Sequence, residues 1–349
     1  MAQVSFKLDG PGATPGEMES EMSDELRPDP LAPWVREIAS KHDASRHVEG
    51  VQCRGSVALI DEAARLRGAG EVKLGRAISL EKEIETRPER LLGGQKAAED
   101  EKAQWQKLGL SEMPSGHGGV ELEVQIGIHG RSAHGGDVIK YDAHGVHNTH
   151  LDGLAHIGAD ATWHGPIPAR NTETDEDTMV NWAQHGIATR GVLLDIPAVR
   201  GVEWVTAEEP VTAAELDTAL TAAGVSLEPG DALIIYQGRD RYEAAGNIYP
   251  SGAAAVKRPG IGEDGAKWIA SKDPGLVLWD FHDARNTPTG SLEVHSLIWA
   301  IGLCLVDNCL LGPAVVALKE AGAATGLLVA APTAIHRSTG VLINPLLLY

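Results

Sequence analysis

The chain has 349 residues, with 30 Lys+Arg against 49 Asp+Glu, a formal net charge of −19. That balance argues against nucleic acid or an anionic membrane surface as a partner, because both need a cationic face. The 3 cysteines (Cys53, Cys304, Cys309) make no complete disulfide framework. No apolar run approaches the roughly 20 residues that span a bilayer, and Met1 to Leu26 lacks the pattern of a secretory signal. A reducing, cytoplasmic setting is the expectation.

In chain order, residues 1–50 read as an N-terminal arm, partly extended, and residues 51–349 as a single α/β domain. Val57 to Arg67 predicts a helix stopped at Gly68 or Gly70. The charged stretch 82–108 predicts a surface helix and loop, broken at Gly93 and Gly94. Val120 to Ile128 alternates apolar and polar residues, which predicts a half-buried strand. Gly191 to Ile196 predicts a buried strand ending at Pro197. Thr212 and Glu215 have capping-box spacing and open a helix to about Ala223, stopped by Gly224. Pro229, Gly230 and Asp231 form a turn before a strand at Ala232 to Tyr236, and Gly275 to Asp280 predicts another strand. Ser291 to Ala300 predicts a helix stopped by Gly302. Leu303 to Val306 and Leu327 to Ala331 predict two further buried strands. The class is α/β, with elements alternating too irregularly for a barrel of eight βα units. Neither a phosphate-binding Gly-rich fingerprint nor a Gly-x-Ser-x-Gly elbow is present.

Histidine is the unusual component. His117, His129, His134, His144, His147, His150, His156 and His164 crowd one stretch of the chain. The dense part runs from His144 to His156 and includes Asp152. Neutral imidazole and carboxylate are the usual donors to Zn or Mn. On an extended backbone His150 and Asp152 point to one face. On a helix beginning near Asp152, His156 would share that face. A strand-to-helix corner would therefore aim His150, Asp152 and His156 at one point. His117, His129, His134 and His164 read as surface or capping residues. His144 and His147 stay open between ligand and bystander. Further along, His295 and the pair Asp307-Asn308 are unremarkable by themselves. Trp163, Trp182, Trp279, Phe281 and Trp299 could stack on a ring, although core packing is the commoner role. Trp163, Phe281 and His282 are the candidate substrate contacts, with Asp283 in the same loop after a strand.

Together these patches resemble the cyclase family of metal-dependent hydrolases, which includes bacterial kynurenine formamidase and isatin hydrolase. The family pattern is His-x-Gly-Thr-His-x-Asp-x-Pro-x-His. Its second half matches Thr149, His150, Asp152 and His156, with Leu154 where Pro often stands. The family also carries a His followed twelve residues later by Glu, and His295 and Asp307 hold those positions. The family's first His falls at Val146, so His147 or His144 would have to replace it. Further likenesses are Arg190 to Asp195, Pro229 to Leu233, and Ser338 to Pro345. The resemblance implies a swivelling β/β/α-type fold, with mixed sheets and flanking helices. It implies a divalent metal, Mn or Zn, held by His150, Asp152 and either His147 or His144. His156, His295 and Asp307 would be catalytic, holding a second ion or positioning a water and moving its proton. The implied reaction opens an amide, imide or lactone bond of a small cyclic or aromatic molecule. The implied assembly is a homodimer or homotetramer. A non-hydrolytic cyclase or dehydratase of the same fold, or a binding protein that has lost its chemistry, are the alternatives.

Overall fold

A nine-stranded mixed sheet organises the chain and carries the histidine cluster on its strand ends. The computed structural model describes residues 31–42, 54–84, 120–129, 131–165, 167–169, 178–249, 257–285 and 292–349. Most of the expected arm, the charged stretch from residue 85 onward, Cys53 and His117 lie outside those residues, as does the His129 side chain. Within the expected arm, Pro33–Lys41 is helical and buries Trp34 and Val35.

The strands are β1 (Ala77–Ser79), β2 (Val120–His129), β3 (Ser132–Tyr141), β4 (His150–Asp152), β5 (Thr162–Trp163), β6 (Ile167–Pro168), β7 (Ala188–Asp195), β8 (Ala232–Tyr236), β9 (Leu276–Trp279), β10 (Leu305–Asp307), β11 (Thr325–Val329), β12 (Gly340–Leu342) and β13 (Leu346–Leu348). The large sheet runs β1-β13-β11-β7-β8-β9-β10-β4-β12. Its centre, β7 to β10, is parallel. Parallel strands are covered on both faces, so they read as continuous apolar runs. Every residue of β8 and β9 is buried accordingly. β4 is antiparallel to both of its neighbours, β10 and β12.

Helices flank the sheet. The expected helix from Val57 divides in two: Gly55–Leu59 is a 3-10 turn, and the α-helix is Glu62–Ala69. Asp61 causes the break, because its carboxylate accepts from Ala64 N at 2.8 Å and so caps a new start. Gly68 lets this helix approach β7 closely, since a Cβ there would lie 2.5 Å from the Thr189 carbonyl carbon. The capping box at Thr212 and Glu215 forms, and its helix Ala213–Ala223 ends at Gly224. The helix expected from Ser291 begins only at Ser296, with His295 as its N-cap, and stops at Gly302 with φ +67°. No described helix is long and apolar enough to cross a membrane.

The strand expected at Val120 to Ile128 forms but is not half-buried. It pairs with β3 in a separate two-stranded ribbon. Val124, Ile126 and Ile128 are exposed on it, as are Val138 and Ile139. Alternation reports that a strand has two unlike faces and does not say what covers the apolar one.

A candidate metal centre

β4 delivers the first donors. His150 and Asp152 flank Leu151, which is fully buried in the core, so the two polar side chains share the opposite face. The register of β4 on β10 sets Asp307 directly across from His150. Cross-strand partners project to the same side, which brings a carboxylate from far along the chain to the cluster. After Asp152 the chain makes a turn, closed by His156 N donating to Gly153 O at 3.0 Å. The expected helix at Asp152 is therefore absent. His156 still reaches Asp152, with Nε2 3.8 Å from Oδ2.

Two donor sets result among the described residues. One is His144, Asp152 and His156; the other is His150, Asp152 and Asp307. Asp152 belongs to both. His144 Nδ1 lies 2.9 Å from Asp152 Oδ1, and its Nε2 lies 2.9 Å from the Thr339 hydroxyl. Its ring stacks on His156 at 3.9 Å between centroids. His147 is exposed and belongs to neither set. Val146, at the position of the family's first His, is buried, and its carbonyl accepts from the Arg239 guanidinium.

The donor chemistry fits a cation. His150 Nδ1 donates to Asn148 O at 2.9 Å, which leaves the Nε2 lone pair facing inward. That nitrogen is 3.5 Å from Asp152 Oδ1 and 3.8 Å from Asp307 Oδ2. Three electron-rich atoms thus converge. Asp152 Oδ2 is buried and, among the described residues, has no hydrogen-bond donor. A buried acceptor without a donor is costly, and a bound cation removes the cost.

A layer of polar groups orients these donors. His295 Nδ1 lies 2.5 Å from Asp283 Oδ2, and its Nε2 lies 3.1 Å from Asp307 Oδ2 and 3.6 Å from Asp152 Oδ2. Trp279 donates its indole N–H to Asp307 Oδ1. His282 Nε2 sits 3.4 Å from Asp307 Oδ2 and 2.7 Å from Asn308 Oδ1. Asn308 adopts φ +57°, a conformation Asn tolerates better than most residues. From there its amide donates to Gly145 O and Asn148 O, at 2.8 and 2.9 Å, and so fixes the loop that carries His144. Arg239, on a helix Arg239–Ala244, donates to Asn308 Oδ1 at 2.5 Å.

Electrostatics follow from this packing. Burial would raise the Asp152 carboxyl, but the His156 and His150 imidazoles and the His144 hydrogen bond outweigh it and hold it far below the usual range. Burial likewise opposes ionisation of Asp307, and His282 and His295 overcome it. Burial drives His156 down to about 4 and His282 down to about 3. Burial also acts against His295, yet Asp283 and Asp307 push it well above its ordinary value. His144 and His156 are the more open members, with side chains 22% and 23% exposed.

The three substrate candidates fall differently. His282 lies in the cluster. Phe281 is fully buried and stacks on Tyr249 at 4.9 Å, so it is a core residue. Trp163 is half-buried on β5, against Gly158. Thr339, Asn308, Arg239 and the Trp279 N–H were not legible as site groups. The Asp307-Asn308 pair at a strand end was the one available signal for Asn308.

Comparisons with known proteins bear on the family and the fold. A family model described as putative cyclase matches residues 79–284, more than half of the chain and short of His295 and Asp307. The crystal structure of a novel cyclase is 20% identical and covers 89% of this chain and 99% of its own, with a TM-score of 0.68. Isatin hydrolase A from Ralstonia solanacearum is 15% identical, over 78% of this chain and 90% of its own, with a TM-score of 0.49. A predicted metal-dependent hydrolase from Bacillus stearothermophilus is 15% identical, over 78% and 97%, with a TM-score of 0.40. No curated protein matches the sequence.

Proposed function

The chain belongs to the cyclase family, and on that premise we propose that it is a metal-dependent hydrolase that opens an amide, imide or lactone bond in a small cyclic or aromatic molecule. The observation that carries this reading is the convergence of His150 Nε2 with the buried Asp152 and Asp307 carboxylates, where the other Asp152 oxygen, Oδ2, has no donor among the described residues. His144, His150, Asp152 and Asp307 would hold the ion. His plus carboxylate suits both Mn and Zn. When bound, such an ion lowers the pKa of a water and offers positive charge to a developing oxyanion.

The side chains divide the remaining work. His156 is half-buried and neutral near pH 7, so its Nε2 can take a proton from an incoming water. His295 lies between Asp283 and Asp307, which raise it well above its ordinary value in the metal-free protein, and it is the group placed to return a proton to the leaving group. Asp283 keeps the His295 ring in place, as carboxylates do behind catalytic imidazoles. Trp279 and Asn308 hold Asp307 and the His144 loop against rotation.

The same reading keeps a cytoplasmic setting, which free, buried thiols at Cys304 and Cys309 support. It also keeps a homodimer or homotetramer, supported by the exposed apolar side chains of β2 and β3 and tested by analytical ultracentrifugation. The function is tested with purified protein, elemental analysis and a panel of N-formyl amides, cyclic imides and lactones. The expected result is bound Mn or Zn and acid release that is lost with chelator and in His150→Ala. Metal-free protein after growth in metal-replete medium, or turnover unaffected by chelation, would overturn it.

A further inference from the structure

His144 stands outside the register of the family pattern, yet the edge strand beside β4 leaves room for its ring. β12 pairs with β4 so that Gly340 lies across from Asp152 and Leu342 across from His150. Cross-strand partners project to the same side. Position 340 therefore faces the donor cluster, while Val341, paired with Leu151, is buried in the core with it. A Cβ at Gly340 would lie 2.6 Å from His144 Cε1, 3.1 Å from His144 Nε2 and 3.0 Å from the Leu151 carbonyl oxygen. Any side chain at this position would thus take the space that the imidazole occupies.

Three further contacts fix the ring. The Thr339 hydroxyl lies 2.9 Å from Nε2. The His156 ring stacks on it at 3.9 Å, with 9° between the planes, and the His150 ring meets it edge-on at 5.5 Å. Thr339 is itself anchored, because its carbonyl accepts from Gly153 N at 2.7 Å in the turn after Asp152. The consequence is a defined orientation. His144 Nδ1 points inward, 2.9 Å from Asp152 Oδ1, and Nε2 points outward to Thr339. His150 is turned the other way, since its Nδ1 donates to Asn148 O and its Nε2 lies 3.5 Å from Asp152 Oδ1. The two imidazoles offer opposite nitrogens to one carboxylate oxygen.

We propose that Thr339 and Gly340 are positioning residues that seat His144 as a metal ligand through Nδ1, opposite in sense to His150, which binds through Nε2. A ligating imidazole gives its lone pair to the ion and keeps a hydrogen on the other nitrogen. With Nδ1 turned to Asp152, that hydrogen is on Nε2 and is donated to the Thr339 hydroxyl. Gly340 supplies the space and Thr339 the outer hydrogen bond, so the edge strand decides which nitrogen of His144 reaches the ion. The assignment rests on the metal-dependent reading above, whereas the orientation of the ring does not.

The test is a long-range proton–nitrogen NMR spectrum of full-length, zinc-loaded protein labelled with nitrogen-15 histidine, in which His144→Gln assigns the His144 signals. Zinc is diamagnetic, and the spectrum tells a metal-bound Nδ1 from a metal-bound Nε2. His144 is expected to carry zinc on Nδ1 and hydrogen on Nε2, with His150 showing the reverse. Zinc affinity, measured by competition with a chelating dye, should fall about tenfold or more in Gly340→Ala and about tenfold in Thr339→Val. Thr339→Ser keeps the hydroxyl and should recover most of the Thr339→Val loss. Thr339 is exposed, so its variants leave the core intact, and they decide together with the wild-type spectrum where Gly340→Ala does not fold. Zinc on His144 Nε2, a His144 without zinc, or equal affinity in Thr339→Val and wild type would overturn the assignment. Zinc on His144 Nδ1 without turnover on the amide and lactone panel would keep the seat and remove the hydrolase. Chelator-sensitive turnover with no zinc on His144 Nδ1 would do the reverse.

Discussion

His144 Nδ1 lies 2.9 Å from Asp152 Oδ1, which sets this imidazole against the carboxylate shared by both donor sets. The turn at Gly145, with φ +117°, swings His144 back over β4 and onto the His156 ring. His147 is exposed on the same loop. His144→Ala should therefore weaken Mn or Zn binding by more than the roughly 10–100-fold typical of losing an outer-shell partner. His147→Ala should leave affinity unchanged. Competition against a chelating dye measures both, and a larger loss in His147→Ala would reverse the assignment.

Asp283 acts on the chemistry through His295. Its carboxylate meets His295 Nδ1 at 2.5 Å and helps push that imidazole well above its ordinary pKa. Asp283→Asn keeps the shape and removes the charge. His295 should then titrate lower, and the limb of the pH–rate profile that it governs should move towards acid. Activity should fall about 10–100-fold. An unmoved profile with the same loss of rate would mean that Asp283 serves only to hold the fold.

The legible and illegible parts of this site differ in physical kind. His150, Asp152 and His156 could be read because short spacing on a strand and turn already constrains direction. The Thr212 capping box and the strand Ala232–Tyr236 were legible for the same local reason. Asp307 and His295 became candidates only through family resemblance. What joins Asp307 to His150 is the β4–β10 register, a pairing between residues far apart in the chain that no local pattern encodes. The extra start signal at Asp61 and the loss of helix after Asp152 show capping and turn chemistry overriding periodicity. Arg239 gave no signal, because a buried arginine is indistinguishable in sequence from an exposed one.

Trp279 links the core to the site. Its ring is fully buried, and its N–H donates to Asp307 Oδ1. Trp279→Phe keeps an aromatic ring but leaves one oxygen of a buried carboxylate without its donor. Hydrogen bonds to charged groups contribute about 1.5–3 kcal/mol, so metal-free protein should lose about that much stability in urea. Metal should restore part of the loss by neutralising Asp307. A variant as stable as wild type without metal would show that Asp307 finds another donor.

Four histidines of the cluster divide into two pairs with opposite pH behaviour in metal-free protein. Burial holds His156 at about 4 and His282 at about 3, against an ordinary 6.5. Between those values and 6.5 the unfolded chain binds more protons than the folded chain, so stability rises with pH up to about 6.5. His144 and His295 behave the other way. Burial opposes their charge, but Asp152 for His144, and Asp283 with Asp307 for His295, overcome it and raise both above 6.5. There the folded chain keeps protons that the unfolded chain releases, so stability falls as pH rises from 6.5 through the raised values. With chelator present, the melting temperature should therefore peak near pH 6.5. A cation beside His144 and His295 competes with those same protons, so metal affinity should increase over the window in which metal-free stability declines. Thermal melts from about pH 5 to about pH 8, with chelator and with added Zn or Mn, measure both limbs. A metal-free melting temperature that keeps rising through the alkaline limb would mean that His144 and His295 are not held protonated by their carboxylates.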